Sequence, residues 1–388
     1  MARLGDVGLI ITGRTPSTGD SKNFASNDIC FIKPSDIRDN ELTDLFNSEY
    51  YISEYARSQT RIVPPGSVLV TCIGIVGKVA INTLECAFNQ QINAIIPNKL
   101  KCDCRYLAYA LLYEKPRLQN ASNAPVVPIL NKSQFSEIEI PLPPLDEQRK
   151  IAAVLDKVSD LIAKRRQQLD KLDTLVKARF VEMFGDPEYN EKRLTVFPMT
   201  ELCEIIDGDR GKNYPKQEEF LDIGFCLFLN AKNVTSAGFS FENCMYITEE
   251  KDTLLRNGKL KRGDVVLTTR GTIGNLAFYD DSVPYEHMRI NSGMVILRMK
   301  RERIAERFFI EQFKMQLASI KDKIASGSAQ PQLPISTMNK IIMLVPNIEQ
   351  QNQFATFVSQ VDKSKLTIQK SCETLETLKK TLMQKYFG

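Results

Sequence analysis

The feature that most constrains the fold is a long internal repeat. It pairs residues 143–185, PPLDEQRKIAAVLDKVSDLIAKRRQQLDKLDTLVKARFVEMFG, with residues 346–388, PNIEQQNQFATFVSQVDKSKLTIQKSCETLETLKKTLMQKYFG. The register is constant, since Leu145 falls on Ile348 and both copies end in Phe-Gly. Self-similarity over such a length is the signature of a duplicated structural unit, so the chain is predicted to contain two copies of one module.

Each copy of this repeat is predicted to form one long helix. After the opening prolines, neither copy contains Pro or Gly before its terminal glycine. Apolar residues recur at every seventh position, which is typical of a coiled-coil seam. They are Leu155, Ile162, Leu169, Val176 and Met183 in the first copy, and Phe354, Val361, Ile368, Leu375 and Leu382 in the second. Two such rods, each roughly 55–60 Å long, are predicted to pair antiparallel. The alternative is a pair of surface helices, each packed on its own domain.

The regions upstream of the helices are β-rich and repeat more weakly. VPPGSVLVTCIGIVGKVAI (63–81) aligns with LKRGDVVLTTRGTIGNLAF (260–278). Short β-branched runs bounded by Gly, Pro or Asn predict strands: SVLVTCIGI, INAIIP, CLFLN, DVVLTTRG and GMVILRM. Apolar residues at helical spacing predict helices over 103–120 and 301–326.

The predicted fold class is therefore α+β. Two domains, residues 1–143 and 186–345, are expected in a pseudo-twofold arrangement. Two antiparallel coiled-coil helices, residues 144–185 and 346–388, separate them, and the polar stretch DPEYNEKRLTVFP acts as a linker between the modules.

The stretch TCIGIVGKVA, residues 71–80, raises the alternative of a phosphate-binding loop and an ATPase. Such a loop needs four residues between its glycines, Lys followed by Ser or Thr, and a helix after it. Here two residues separate Gly74 from Gly77, Lys78 precedes a valine, and a strand-like run follows. The second copy replaces the lysine with Asn275. The shared glycines therefore indicate turns, and nucleotide hydrolysis is disfavoured.

Composition narrows the function classes further. A formal net charge of +4 permits a polyanionic partner without requiring one. The single histidine, His287, and scattered cysteines disfavour a histidine-rich metal site. No apolar run approaches the roughly 20 residues that span a bilayer, so no membrane association is predicted, and the predicted compartment is the cytoplasm.

The repeated architecture resembles the specificity subunit of type I restriction-modification systems. The resemblance rests on the two aligned glycine motifs and on further segments distributed over both copies: NQQINAIIP (89–97), INSGMVILR (290–298), GSAQPQLPISTMNKIIMLVPNIEQQ (327–351), IPLPPLDEQRKIAAVLD (140–156) and the helix ending FVEMFGDP. The first copy departs by having NAPVVPIL where the second has SAQPQLPI, and Ile73 and Ile75 where the second has Arg270 and Thr272.

This resemblance implies a non-catalytic chain without a cofactor. Its two β-rich domains would be target recognition domains, each reading one half of a bipartite site in double-stranded DNA. The helices would form the spacer and dock two methyltransferase subunits, with restriction and translocase subunits joining through the complex. An alternative of another class is a duplicated coiled-coil scaffold that binds protein partners without reading DNA.

Candidate DNA contacts follow from side-chain chemistry. Arg reads guanine, Asn and Gln read adenine, and Lys and Arg bind phosphates. The candidates in the first domain are Arg14, Lys33, Arg38, Arg57, Lys78, Gln90 and Gln91. Those in the second are Arg210, Lys212, Lys216, Lys232, Asn233, Arg270 and Arg289. The basic, glycine-containing stretch DGDRGKNYPK (207–216) is predicted to be a loop that faces DNA.

Overall fold

The computed structural model describes residues 1–122, 128–325 and 332–388, without the side chains of residues 322–325. The described residues form two compact units. The first unit combines Met1–Gln167 with Gln369–Gly388, and the second is Gln168–Ile368. Most of the departing stretch NAPVVPIL and much of SAQPQLPI lie outside the described residues.

The first unit is built on two mixed β-sheets. Its strands are β1 (Ala2–Arg3), β2 (Gly8–Thr12), β3 (Ile29–Ile32), β4 (Thr43–Leu45), β5 (Tyr51–Ile52), β6 (Ile62–Val63), β7 (Val68–Thr71), β8 (Val79–Asn82), β9 (Cys86–Phe88), β10 (Ile92–Pro97) and β11 (Glu139–Ile140). Over the described residues, one sheet has the order β2-β10-β7-β8-β4 and the other β5-β3-β9-β6. The pairs β4–β8 and β3–β9 are parallel.

Helices cover these sheets and carry much of the core. They are α1 (Leu4–Val7), α2 (Cys104–Tyr113), α3 (Lys115–Ala121), α4 (Lys132–Ser136) and α5 (Leu145–Phe184), the last of which continues into the second unit. The sequence predicted one helix over 103–120, but the helix is interrupted between α2 and α3. Pro116 lies in the first turn of α3, where its missing N–H does no harm, but it could not continue α2.

The second unit repeats the same plan. Its strands are β12 (Val196–Pro198), β13 (Cys203–Asp207), β14 (Cys226–Leu229), β15 (Val234–Thr235), β16 (Gly238–Phe239), β17 (Tyr246–Ile247), β18 (Asp264–Thr268), β19 (Leu276–Phe278), β20 (Met288–Ile290), β21 (Met294–Met299) and β22 (Ile342–Leu344). Within the described ranges the larger sheets have the orders β13-β21-β18-β19 and β17-β14-β20. The strands β2, β10, β7 and β8 thus correspond to β13, β21, β18 and β19.

The remaining helices are α6 (Met199–Leu202), α7 (Glu249–Leu254), α8 (Glu306–Ala325), α9 (Ile335–Met338) and α10 (Ile348–Phe387). The part of α10 that follows Ile368 belongs to the first unit. The helix predicted from residue 301 begins only at Glu306. Residues 301–303 instead form a turn, in which the carbonyl of Lys300 accepts from the N–H of Arg303 at 3.0 Å. The predicted strands are confirmed, although those at SVLVTCIGI and DVVLTTRG end at Thr71 and Thr268, before the glycine turns.

The two predicted long helices, α5 and α10, are confirmed at 40 residues each. None of the heptad residues on either helix is exposed. Within the first unit, Arg166 of α5 pairs with Glu376 of α10 at 2.9 Å, whereas the earlier Asp156 acts electrostatically on the later Lys379. The two helical segments therefore run antiparallel.

Each long helix ends in a phenylalanine that is buried in an aromatic cluster. Phe184, at the end of α5, lies 5.0 Å from Phe308 between ring centroids in the second unit. Phe387, at the end of α10, lies 5.3 Å from Tyr106 in the first unit. α5 thus follows the β-rich region of the first unit and ends in the core of the second. α10 follows the β-rich region of the second unit and ends in the core of the first. Among the described residues, no helix is long and apolar enough to cross a lipid bilayer.

Candidate nucleic-acid interface

Three loops meet at one edge of the first unit, where β2, β7 and β9 end. The N–H of Cys72 donates to the carbonyl of Gln91 at 2.7 Å, and the N–H of Arg14 donates to the carbonyl of Phe88 at 3.0 Å. These bonds hold the three loops together. We call them the first strand-end surface, which comprises residues 13–15, 72–77 and 89–91.

The second unit contains an equivalent edge at the ends of β13, β18 and β20. The N–H groups of Thr269 and Arg270 both donate to the carbonyl of Gly293, at 2.9 and 3.2 Å. The second strand-end surface comprises residues 208–210, 269–274 and 291–293. The two edges are therefore built by corresponding loops.

A close backbone contact requires glycine at the same place in both surfaces. A Cβ atom on Gly13 would lie 2.1 Å from the carbonyl oxygen of Asn89, and one on Gly208 would lie 2.2 Å from that of Asn291. The two asparagines also play one role, since each accepts a backbone N–H two residues later, at 3.1 Å in the first unit and 2.9 Å in the second. The backbone framework is thus the same in both copies.

The glycine motif is a turn between antiparallel strands. Gly74 and Gly77 have φ angles of +78° and +88°, in the left-handed region that favours glycine. The hydroxyl of Thr71 closes the turn by accepting from the N–H of Lys78 at 3.0 Å, and that of Thr268 accepts from Asn275 at 2.9 Å. A strand follows each turn, so neither forms the strand-to-helix junction of a phosphate-binding loop.

Three predicted contacts of the first domain lie on the first strand-end surface. Arg14 and Gln90 are exposed, and Gln91 is half-buried. The hydroxyl of Thr15 donates to Oε1 of Gln90 at 2.7 Å, which orients that amide at the rim of the loop. The amide of Gln91 is held instead by Asn89, whose Nδ2 donates to its Oε1 at 2.8 Å. Gln90 is therefore the more available of the two amides.

Lys33 and Lys78 lie beside this surface. Lys33 directly follows β3, and the carbonyl of Ile32 accepts from the N–H of Asn89 at 3.1 Å. The ammonium group of Lys33 lies 3.1 Å from the ring centroid of Tyr50, and that of Lys78 donates to the carbonyl of Pro34 at 3.0 Å. Both cations are half-buried and oriented by the protein.

Arg38 and Arg57 are paired with carboxylates. Arg38 forms a 3.2 Å ion pair with Glu41. Arg57 pairs with Glu54 and, at 2.7 Å, with Glu85. The hydrogen bonds that it donates to Glu85 and Glu54 raise the pKa of its guanidinium above the ordinary value. A phosphate would have to compete with these internal partners.

Two predicted arginines lie on the second strand-end surface. Arg210 forms a 3.0 Å ion pair with Asp207 and donates to the carbonyl of Ser292 at 3.3 Å, while remaining exposed. Arg270 is exposed in the glycine turn. The other predicted cations, Lys212, Lys216 and Lys232, are exposed on neighbouring segments of the same unit.

The stretch 207–216 is a loop held in place by Asp209. One carboxylate oxygen of Asp209 accepts from the N–H of Gly211 and the other from the N–H of Arg256, both at 2.7 Å. Burial raises the pKa of Asp209, but these backbone donors lower it by a larger amount. The pKa therefore lies below its usual range. The loop therefore presents Arg210 on a fixed backbone.

Burial argues against two of the predicted contacts. Asn233 is 1% exposed, and its amide donates to the carbonyls of Ser240 and Asn243. Arg289 is 4% exposed and is bound to the buried carboxylate of Asp252. Both side chains are used inside the fold, so we assign them structural roles and leave them out of the candidate interface.

Sequence reasoning missed three residues of these surfaces, namely Thr15, Ile73 and Ser292. They are small or apolar and have no charge to attract notice. The alignment of Ile73 with Arg270 in the glycine motif was visible in the sequence, but its apolar side chain did not suggest a contact. Thr15 and Ser292 could not be aligned, because the repeat is too weak around them to give their partners.

It also missed Gln148 and Gln351, which occupy one position of the repeat and are fully buried. Each anchors the start of a long helix. Oε1 of Gln148 accepts from the N–H of Asp103 at 2.9 Å, and Oε1 of Gln351 accepts from that of Ala305 at 2.8 Å. Their exact register was visible in the sequence, but burial was not. Among the described residues, no group of three or more His, Cys, Asp and Glu side chains could hold a metal ion.

Comparison with known proteins identifies the family. Residues 1–173 and 191–380 match the type I restriction modification DNA specificity domain. The type I restriction enzyme MjaIX specificity subunit of Methanocaldococcus jannaschii is 26% identical, over 99% of this chain and 91% of that protein. The MjaVIII specificity subunit of the same organism is 27% identical, over 74% of this chain and 69% of that protein.

A solved structure shows the same fold. The S subunit of a type I restriction-modification system from M. genitalium superposes with a TM-score of 0.56, at 16% identity, over 100% of this chain and 95% of that one. Together with the family match over both halves of the sequence, this likeness agrees with the duplicated units described above. The chain therefore belongs to the family of type I restriction-modification DNA specificity subunits.

Proposed function

We propose that this chain reads a bipartite site in double-stranded DNA, with one half-site for each strand-end surface. Residues 1–143 and 186–345 are the two target recognition domains in this proposal. Helical residues 144–185 and 346–388 set the distance between the half-sites and dock two methyltransferase subunits. Restriction and translocase subunits join through that complex.

The observation that carries the proposal is the duplication of the strand-end surface. Both copies share the glycine contact, the asparagine-capped loop and the glycine turn, whereas their exposed side chains differ. A repeated framework with different side chains is suited to reading two different short sequences, because base identity is read by side-chain donors and acceptors. A pair of readers in one chain places two half-sites at a fixed separation.

We further propose that the chain contributes no catalytic step of its own. The glycine turn is not a phosphate-binding loop, and the candidate residues are arginine, lysine and amide groups suited to binding phosphates and bases. Methyl transfer and cleavage then belong to the partner subunits. The isolated chain is accordingly expected to bind DNA without modifying it.

Methylation mapping tests the proposal. The chain is produced with its methyltransferase subunits in a host that lacks other methyltransferases of this type, and the methylated positions are read across the genome. The expected result is two different short half-sites separated by a fixed number of unspecified base pairs. A host that carries the methyltransferase subunits alone is the control. A complex that forms normally but shows no sequence enrichment would identify the chain as a protein scaffold.

A further inference from the structure

The two strand-end surfaces allow residues of the two copies to be matched by structure where sequence alignment fails. Thr12 and Asp207 are the last paired residues of β2 and β13, and each precedes the glycine in close contact with an asparagine carbonyl. Counting onward from that glycine, Thr15 corresponds to Arg210. The match follows from backbone contacts alone.

The other two loops give two more pairs. The loop that starts at Asn89 corresponds to the loop that starts at Asn291, because each asparagine accepts the N–H two residues later. Gln90 therefore corresponds to Ser292. In the glycine turn, Ile73 corresponds to Arg270, since each forms an isolated bridge to the chain that follows, to Ile129 and Gln332 respectively.

The three positions lie in adjoining loops in each surface. Thr15 donates to Gln90 at 2.7 Å in the first unit, and Arg210 donates to the carbonyl of Ser292 at 3.3 Å in the second. The N–H of Arg270 donates to Gly293, the neighbour of Ser292. Arg210, Arg270 and Gln90 are exposed and the other members are half-buried, so all are accessible at the surface.

The chemistry at these positions differs sharply between the copies. The second surface presents two arginine side chains, which pair best with the O6 and N7 acceptors of guanine. The first presents the amide of Gln90, which suits the N6 and N7 atoms of adenine, beside the apolar Ile73, which suits the methyl group of thymine. The backbone contacts around these positions are shared by the two copies. In the same loops Arg14 also differs from its counterpart Asp209, which is buried and accepts from backbone N–H groups. The three matched pairs therefore account for the difference at the bases that these side chains reach.

We propose that positions 15, 73 and 90 of the first unit, and 210, 270 and 292 of the second, determine the base preference of the two half-sites. The first half-site then contains A·T pairs at the bases these residues reach, and the second contains G·C pairs. This inference rests on the proposed function, because it names the residues through which each surface reads its half-site.

An exchange of side chains tests it in the full chain with its methyltransferase subunits. The variant Thr15→Arg, Ile73→Arg, Gln90→Ser gives the first surface the side chains of the second. Methylation mapping is expected to show a G·C requirement replacing A·T at one or more positions of the first half-site. Discrimination of roughly tenfold to a hundredfold per position is expected. The second half-site and the spacer stay unchanged.

A matched control adds two arginines elsewhere in the first unit. Leu84 and Leu100 are 56% and 89% exposed and lie outside the strand-end surface. The variant Leu84→Arg, Leu100→Arg is expected to keep the wild-type half-sites. The reciprocal exchange, Arg210→Thr, Arg270→Ile, Ser292→Gln, provides a second test in a different unit, and it is expected to remove a G·C requirement from the second half-site.

The outcomes separate this inference from the proposed function. If the wild-type complex shows no sequence preference, the proposed function fails and the inference fails with it. If the wild type has a bipartite site but both exchanged complexes keep their half-sites, only the inference is overturned. A uniform loss of affinity with unchanged base preference would also overturn it, because it would assign these positions to phosphate contacts.

Discussion

Buried polar side chains join helices and loops of this protein through hydrogen bonds and ion pairs. Gln351 is fully buried, and its amide donates to the carbonyls of Pro346 and Arg303 while its oxygen accepts from Ala305. It thereby ties the start of α10 to the segment before α8. Asp252 forms an ion pair with the buried Arg289, whose guanidinium also donates to the carbonyls of Asn257 and Leu255. Such side chains stabilise the frame on which the exposed residues stand.

Gln351→Ala is expected to lower the free energy of unfolding of the second unit by about 1–3 kcal/mol, because it leaves buried backbone groups without partners. The neighbouring Gln350 is exposed, and Gln350→Ala is the matched control, with an expected effect within about 0.5 kcal/mol. Denaturant unfolding of both variants measures the difference. Equal midpoints for the two variants would contradict the anchoring role.

Asp252→Asn is expected to destabilise the chain by about 3–5 kcal/mol at neutral pH, because it leaves the buried Arg289 without its counter-ion. Burial raises the pKa of Asp252, but hydrogen bonds from Lys259 and Arg289 lower it by a larger amount. The pKa therefore lies below its ordinary value of 3.8. A carboxylate whose pKa is lowered by folding stabilises the fold at pH values above its ordinary pKa. That contribution is lost as the pH falls through the folded-state pKa.

Unfolding of wild type and of Asp252→Asn from pH 7 down to pH 3 tests this ion pair. The difference between their free energies of unfolding is expected to be largest above about pH 5 and to become smaller in acid. Asp281→Asn, at an exposed position, is the control and is expected to follow the wild type throughout. A gap that stays constant with pH would show that the loss comes from packing and not from charge.

At the scale of elements, the long helices were the most predictable part of the chain. Their heptads, proline starts and glycine ends are local signals, and the observed bounds lie within two residues of the predicted ones. Some strand bounds were also close, since β10 covers the predicted INAIIP in full. The errors occurred at two strand ends and at helix starts. β7 and β18 stop before the glycine turns, α3 is separate from α2, and α8 begins late, because local turns interrupt the predicted periodicity there.

Inserting one heptad into each of α5 and α10 is expected to lengthen the DNA spacer and leave both half-sites unchanged. Seven helical residues add about 10 Å, or roughly three base pairs of B-DNA. The control is a seven-residue insertion between Ser236 and Ala237, in the exposed turn between β15 and β16. Methylation mapping reads the spacer directly, and an unchanged spacer in the heptad variant would refute the proposal that the helices set the spacer length.

At the scale of the whole molecule, the two units differ in how the chain builds them. The second unit is continuous in sequence, whereas the first takes its last segment, Gln369–Gly388, from the far end of the chain. That segment contributes Met383 and Phe387, which are 8% and 5% exposed within the core of the first unit. The first unit therefore needs residues that follow the second unit in the sequence.

Residues 168–368 alone are expected to unfold cooperatively. Residues 1–167 alone lack part of their core, so a peptide of residues 369–388 is expected to bind them and raise their melting temperature by several degrees. The same peptide with Phe387→Ala is expected to have a much smaller effect, because it lacks the ring that packs on Tyr106. Calorimetry with and without each peptide measures this, and no shift with the intact peptide would contradict the assignment of that segment.

The amino-acid sequence alone determined the duplication, the long helices, most strands and the family resemblance. These depend on local periodicity and on motifs that are read directly from neighbouring residues. The positions of the candidate contacts depended on tertiary structure, because burial is decided by what packs from distant parts of the chain. Arg289 and Arg270 look alike in sequence, yet the first is buried in an ion pair with Asp252 and the second is exposed in the glycine turn. The correspondence of Thr15 with Arg210 likewise appeared only in the folded backbone, since hydrogen bonds preserve a shared framework after sequence similarity has been lost.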